Sequence, residues 1–262
     1  FSLISAGFCF ACFNPTTINN QEQVVKTNSG YVSGSFNESV YAFKGIPYAK
    51  AKRFMPPQDP DTWDGIRECI DFGPVARQIV PWYPDSVQNE KELFSVNVWT
   101  QGIMDGKKRP VMLWLHGGGF HVGASNDPMT YGEAIAKKGD VVFVSVNHRL
   151  NILGFLDLSV YGEKYAQSAN VGMLDIVKAL EWIQKNIENF GGNPSDVTIV
   201  GESGGGGKVG TLMCMPAAKG LFNKAIIQSG TLLNTMTKEK SQALGLAVLE
   251  NLGLTPNDVD KL

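Results

Sequence analysis

Short uninterrupted apolar runs alternate with helical periodicity along most of this chain. Residues 95–100, 111–115, 141–146, 197–200 and 225–228 are runs rich in valine, isoleucine and aromatics, and they predict central strands. Several lack any polar alternation, as strands do when both sheet faces are covered. Between them, Ile176, Leu180, Ile183 and Ile187 recur at i, i+4, i+7 and i+11. That spacing predicts a helix over 174–188, broken by Gly191-Gly192-Asn193-Pro194; 130–138 reads as another. Strands alternating with helices predict an α/β fold, a mostly parallel sheet with helices on both faces. Ahead of it, 24–26, 31–35 and 40–44 read as short antiparallel strands, and 47–84 as proline-rich and irregular. Leu244, Val248 and Leu252 mark one face of a late helix closed by Gly253. Thr255-Pro256-Asn257-Asp258 has the cap, proline and acid of a fresh helix start. No helix body follows it before Leu262, which predicts a truncated chain.

Ligands of such sheets bind beyond the carboxyl ends of the strands, and two glycine-rich motifs fall there. The strand at 197–200 runs into Gly201-Glu202-Ser203-Gly204-Gly205, a G-x-S-x-G pattern, and apolar positions resume at Val209, Leu212 and Met213. Strand, sharp turn and helix make the setting of a nucleophile elbow, which pushes a serine hydroxyl out at the top of a sheet. The strand at 111–115 ends in His116-Gly117-Gly118-Gly119-Phe120, a loop of the kind that offers backbone N–H groups to an oxyanion. The order and setting of the pair are far more specific than either motif. Gly207-Lys208 imitates a phosphate loop, but Glu202 and Val209 stand where that pattern needs glycine and serine or threonine. Lys208 itself falls in the first turns of the elbow helix, where the dipole disfavours a cation; it is expected to be solvated or paired.

Net charge is −2, from 23 basic and 25 acidic residues, a balance with no electrostatic pull toward nucleic acid or an anionic membrane. The densest basic run, Lys107-Lys108-Arg109, reads as a solvated turn. Residues 1–13 are almost wholly apolar, too short to span a bilayer, and match the core of a secretory signal peptide. Residues 1–23 are therefore expected to be a signal remnant and flexible N-terminus, with the protein secreted or periplasmic. Cys9 and Cys12 fall in that segment, Cys214 reads as a buried free thiol, and no structural disulfide is predicted. Three histidines without paired His/Cys spacing give no zinc signature, and no cofactor is implied.

With these blocks in hand, residues 24–262 resemble the type-B carboxylesterases, cholinesterase-like members of the α/β-hydrolases. The resemblance rests on Phe43-Lys44-Gly45-Ile46-Pro47-Tyr48-Ala49, Asn97-Val98-Trp99-Thr100, the His116–Phe120 loop, Asn147-His148-Arg149-Leu150, Leu153-Gly154-Phe155-Leu156, Asn189 through Pro194, the Ser203 motif, Lys219-Gly220-Leu221-Phe222 and Gln228-Ser229-Gly230. Gly204 through Lys208 with Met215-Pro216-Ala217-Ala218 resembles the bacterial branch. The resemblance implies a single α/β-hydrolase domain over 24–262 whose C-terminal part is missing. It implies Ser203 as nucleophile, Gly118, Gly119 and Gly204 as oxyanion donors, Glu202 lining the site and Ser229 behind it.

The family's triad acid and histidine lie far downstream of the serine, whereas His116, His121 and His148 all precede Ser203; none is assigned as base. His116 and His148 read as structural, and His121 as a possible substrate contact. The family's cysteine before the Asn97 block is Leu93 here, so Cys69 lacks that partner. The acid expected to pair with Arg149 falls on Lys91, with Glu90 and Glu92 adjacent. Trp63 and Trp82 are candidates either for a gorge wall or for local packing. The expectation is a serine carboxylesterase acting on a small-molecule ester through an acyl-enzyme, inactive as these residues alone. The alternatives are a non-catalytic cholinesterase-like interaction domain and an inactive gene fragment.

Overall fold

A computed structural model of the chain describes residues 23–79, 87–128, 131–230 and 235–262. The apolar segment 1–13 and Trp82 lie outside them. The strands are β1 (Val24–Lys26), β2 (Tyr31–Ser33), β3 (Ser35–Asn37), β4 (Val40–Pro47), β5 (Ile66–Glu68), β6 (Ser95–Thr100), β7 (Arg109–Leu115), β8 (Val142–Val146), β9 (Gly192–Glu202) and β10 (Lys224–Gln228). The α-helices are α1 (Glu133–Gly139), α2 (Asn151–Phe155), α3 (Val171–Asn186), α4 (Gly204–Cys214) and α5 (Lys238–Asn251).

β1, β2 and β5 form a small sheet, and the other seven strands a large one in the order β10-β9-β7-β8-β6-β4-β3. From β8 through β7 and β9 to β10 all neighbours are parallel. From β8 through β6 and β4 to β3 all are antiparallel. Every residue of β6 and of β8 is buried, because helices cover both faces. On one face Ala136 of α1 packs with Ala42, Trp99 and Phe143. On the other, Ile176, Leu180 and Ile183 of α3 join Phe43, Val98, Leu113 and Val144. The helical repeat read in the sequence is the stripe of α3 that faces this core.

Some elements escaped the hydrophobic pattern. β5 lies in the stretch expected to be irregular; its three residues are exposed and pair in parallel with β2. α2 is a five-residue helix, too short for a periodic signal. β9 begins before its apolar run because Gly192 pairs with Arg109. Past Gly253 the expected helix start forms a 3-10 helix, Pro256–Lys261, with Thr255 and Asp258 in a capping box.

Two charge expectations are corrected. Arg109 is not part of a solvated turn. It is buried as the first residue of β7, bonding Asp105 bidentately (2.7 and 3.1 Å) and Asp140 through Nε at 2.7 Å. Arg149 pairs with none of residues 90–92. Its guanidinium grips Asp175 on α3 at 2.6 and 2.8 Å and donates to Met55 O at 2.8 Å, while Glu90 binds Arg53 at 2.5 and 2.6 Å. A carboxylate from an adjacent helix reaches the buried arginine, which sequence proximity did not suggest. Trp63 donates its indole N–H to Tyr31 O at 2.9 Å, so it packs locally against β2.

Candidate active site

The parallel half of the sheet brings three strand ends together. Leu115 of β7 lies opposite Gly201 of β9, and Gln228 of β10 opposite Glu202. Beyond Glu202 the chain turns at Ser203, with φ 52° and ψ −120°, directly into α4. A non-glycine residue held at such a positive φ costs about 1–3 kcal/mol. The surroundings hold it there. Ser203 N donates to Gln228 O at 2.8 Å, and Gly207 N donates to Ser203 O at 3.1 Å. A methyl group on Gly205 would overlap Leu115 O, and one on Gly230 would overlap Ser203 O. The glycines are thus what let three backbones close around the serine. The Ser203 and Glu202 side chains stay exposed.

The glycine loop after β7 folds against this turn. Gly118 has φ 91° and Gly119 φ 61°, and the turn is closed by His121 N and Val122 N donating to Gly118 O at 3.0 and 3.1 Å. A methyl on Gly117 would touch the Glu202 carboxylate at 3.1 Å and Ser203 Cβ at 3.5 Å, and one on Gly204 would overlap Gly119 N. The structure therefore brings Glu202, Ser203, Gly204, Gly118 and Gly119 into one small region. Ser229, φ 52°, is exposed and sits between two residues that back Ser203: Gln228, whose carbonyl accepts its N–H, and Gly230.

The histidines divide. His121 is exposed, and its Cδ2 would lie 3.8 Å from a methyl on Gly119. It lines a cleft of about 990 Å3 with Phe120, Asn151, Phe155 and Met173; Ser203 is not among its lining residues. His116 and His148 are buried and stacked, ring centroids 4.9 Å apart and 13° from parallel. Their Nδ1 atoms lie 2.8 and 2.9 Å from the carbonyls of Gly117 and Arg149. A carbonyl only accepts, so each Nδ1 carries a proton. Burial first, and the Lys208 charge second, push both well below the usual histidine range. These are structural rings, as their sequence positions suggested.

Lys208 overturns its expectation of a solvated or ion-paired cation. Its side chain is 0% exposed; Nζ donates to His116 O at 2.8 Å and lies 5.5 Å from the Phe120 ring centroid. Burial lowers its pKa to about 7. Helical spacing held the missed signal: Lys208 precedes Leu212 by four residues and adjoins Val209, both fully or almost fully buried. The same helix corrects Cys214, which is exposed at its last residue, whereas Cys69 is buried with its thiol pushed up to about 11. Both are free thiols, and Leu93 joins Cys69 in one apolar cluster. Among the described residues no group of three or more His, Cys, Asp or Glu could hold a metal ion, and no helix is long and apolar enough to cross a membrane.

Comparison with known proteins agrees with the fold. A family model described as "Carboxylesterase family" matches residues 21–262. The para-nitrobenzyl esterase of Bacillus subtilis (strain 168) is 40% identical over 248 residues, covering 92% of this chain and 50% of that protein. The phenmedipham hydrolase of Pseudarthrobacter oxydans is 35% identical over 243 residues, with coverage of 88% and 48%. A crystal structure of a Geobacillus stearothermophilus carboxylesterase superposes with TM-score 0.86 at 44% identity, covering 91% of this chain and 50% of that one. The chain thus has the α/β-hydrolase fold and spans about half the length of the relatives it matches.

Proposed function

Because the chain belongs to the carboxylesterase family, we propose that the whole protein is a serine hydrolase of carboxylic esters that works through an acyl-enzyme on Ser203. One observation carries this reading. An exposed serine, strained at φ 52°, stands at the end of a parallel strand with a glycine loop folded against it. Ser203 Oγ would attack the ester carbonyl while the N–H groups of Gly118, Gly119 and Gly204 receive the developing oxyanion. Losing one such donor costs about 100–1,000-fold in kcat. Collapse of the tetrahedral species expels the alcohol and leaves the acyl group on Ser203; water then releases the acid. Glu202 lines the site, and Ser229 supports it from behind.

Serine is a weak nucleophile without a base beside it. His116 and His148 are buried in the core with Nδ1 committed to carbonyls and disfavoured as cations by that burial, and His121 opens on a cleft that Ser203 does not line. The base and its orienting acid are therefore proposed to come from sequence outside these 262 residues, in keeping with the half-length match to the relatives. On that reading the 262-residue chain alone is inactive.

Hydrolysis of a p-nitrophenyl ester tests the proposal. In the full-length protein Ser203→Ala is expected to lower kcat by about 10^4–10^6-fold. Equal rates for wild type and Ser203→Ala would remove Ser203 as nucleophile. Steady turnover by the 262-residue chain would show that no outside base is needed. Export is also proposed, from the apolar character of residues 1–13; N-terminal sequencing of the mature protein tests it, and an N-terminus retaining that segment would contradict it.

A further inference from the structure

We propose that Lys208 is a positioning residue for the oxyanion loop: its side-chain amine holds both ends of the Gly117–Gly119 stretch and so keeps the amides of Gly118 and Gly119 aimed toward Ser203. This rests on the hydrolytic reading of that site. Lys208 reaches from α4, five residues beyond Ser203, to the two residues that bracket the loop. On the near side Nζ donates to the carbonyl of His116 at 2.8 Å. On the far side it lies 5.5 Å from the Phe120 ring centroid, within cation–π range. Phe120 is itself pinned, because Asn151 N donates to its carbonyl at 2.8 Å. One helix therefore carries the serine at its first turn and the clamp for the opposing loop at its second. Any shift of α4 moves both together.

The lysine is a poor choice for packing. A fully buried ammonium without a carboxylate is costly. The groups that face it are His116 from the end of β7 and His148 from the end of β8, with Arg149 beyond, and among the described residues no carboxylate pairs with it. Its one hydrogen bond among the described residues ends on the loop. A methionine of similar length would fill the space without the desolvation cost. What the amine adds is the attachment to His116 and Phe120.

The test uses the full-length protein, Ser203→Ala as the reference for hydrolysis, and Lys208→Met. We expect Lys208→Met to lower kcat by about 10–100-fold with KM within about threefold, the pattern of a contact that matters only in the transition state. Binding of a trifluoromethyl ketone, which places an oxyanion on the serine, should weaken by the same factor as kcat/KM. The melting temperature should hold or rise, an effect a purely structural lysine would not give. Lys208→Gln, which keeps an N–H donor, should recover part of the loss. A kcat within twofold of wild type, or a loss confined to KM, would overturn the proposal. So would failure of both variants to yield soluble protein, since Lys208 would then serve folding instead of loop placement. If Ser203→Ala keeps full activity, the hydrolytic reading falls; if only Lys208→Met does, this inference falls alone.

Discussion

Two buried basic side chains meet the ends of neighbouring strands, Arg149 just past β8 and Lys208 reaching from α4 to the end of β7, and they are treated in opposite ways. Arg149, after β8, is met by both oxygens of Asp175, by the Met55 carbonyl, and by the Phe94 ring at 5.3 Å from its guanidinium. Lys208, beneath the loop after β7, has one carbonyl and one ring. The planar guanidinium matches a carboxylate bidentately and stays charged, whereas the ammonium is easily deprotonated when buried. The first arrangement ties α3 and residues 52–55 to the sheet. The second spends stability beside the strained Ser203. Costly groups tend to persist where function needs them, and this contrast separates scaffold from site better than burial does, since both residues are almost fully enclosed.

Removing the scaffold partner should give the largest effect. Asp175→Ala leaves Arg149 buried without its counter-charge and is expected to cost about 3–5 kcal/mol, read as a lower midpoint in urea unfolding. A loss under about 1 kcal/mol would mean water reaches the guanidinium and would erase the contrast.

The next largest effect sharpens the other side. Burial lowers the pKa of Lys208 to about 7 in the folded state, whereas a solvated lysine in the unfolded chain titrates at about 10.4. In that window the unfolded lysine binds more protons than the folded one, so stability rises with pH, with a slope of up to about 1.4 kcal/mol per pH unit. Below pH 7 both states are protonated and the penalty is fully present. Lys208→Met should remove this slope between pH 7 and 10 while groups common to both proteins cancel. Identical slopes in the two proteins would show that the lysine is not desolvated.

Arg109 lies between the extremes, buried itself but paired with Asp105 and Asp140 that reach solvent. Arg109→Met should cost about 1.5–3 kcal/mol for its charged hydrogen bonds, less than Asp175→Ala in the same titration. At the small end, Lys224 and Asp196 form a surface pair at 2.6 Å. Lys224→Ala should change stability by no more than about 0.5 kcal/mol; a larger change would mean that charge exposure does not rank these sites.

Much of this arrangement was legible in the chain. The runs at 95–100, 111–115 and 197–200 became β6, β7 and the core of β9, and the repeat at Ile176, Leu180 and Ile183 became the buried stripe of α3. Both motifs landed at strand ends because strand–turn–helix order is local. Other features were not legible. β5 and α2 are too short for a periodic signal and exist through tertiary pairing. Four consecutive glycines disfavour a helix by propensity, yet α4 starts through them. Leu115 O and Gly119 N come so close that side chains on Gly205 and Gly204 would collide with them, and Gln228 O leaves only tight room at Gly206.

By itself the sequence determined the longer strands and helices, the position of the serine and glycine motifs, and that within these 262 residues no histidine follows Ser203. Apolar periodicity and glycine placement are local instructions, and they can be read one segment at a time. Only the tertiary structure decided which carboxylate Arg149 would find and that Cys214 faces outward. It also decided that Lys208 turns inward to hold the loop opposite its own helix. Those outcomes depend on what lies across the space between segments, and a side chain's partner there is set by how strands and helices pack, not by its neighbours along the chain.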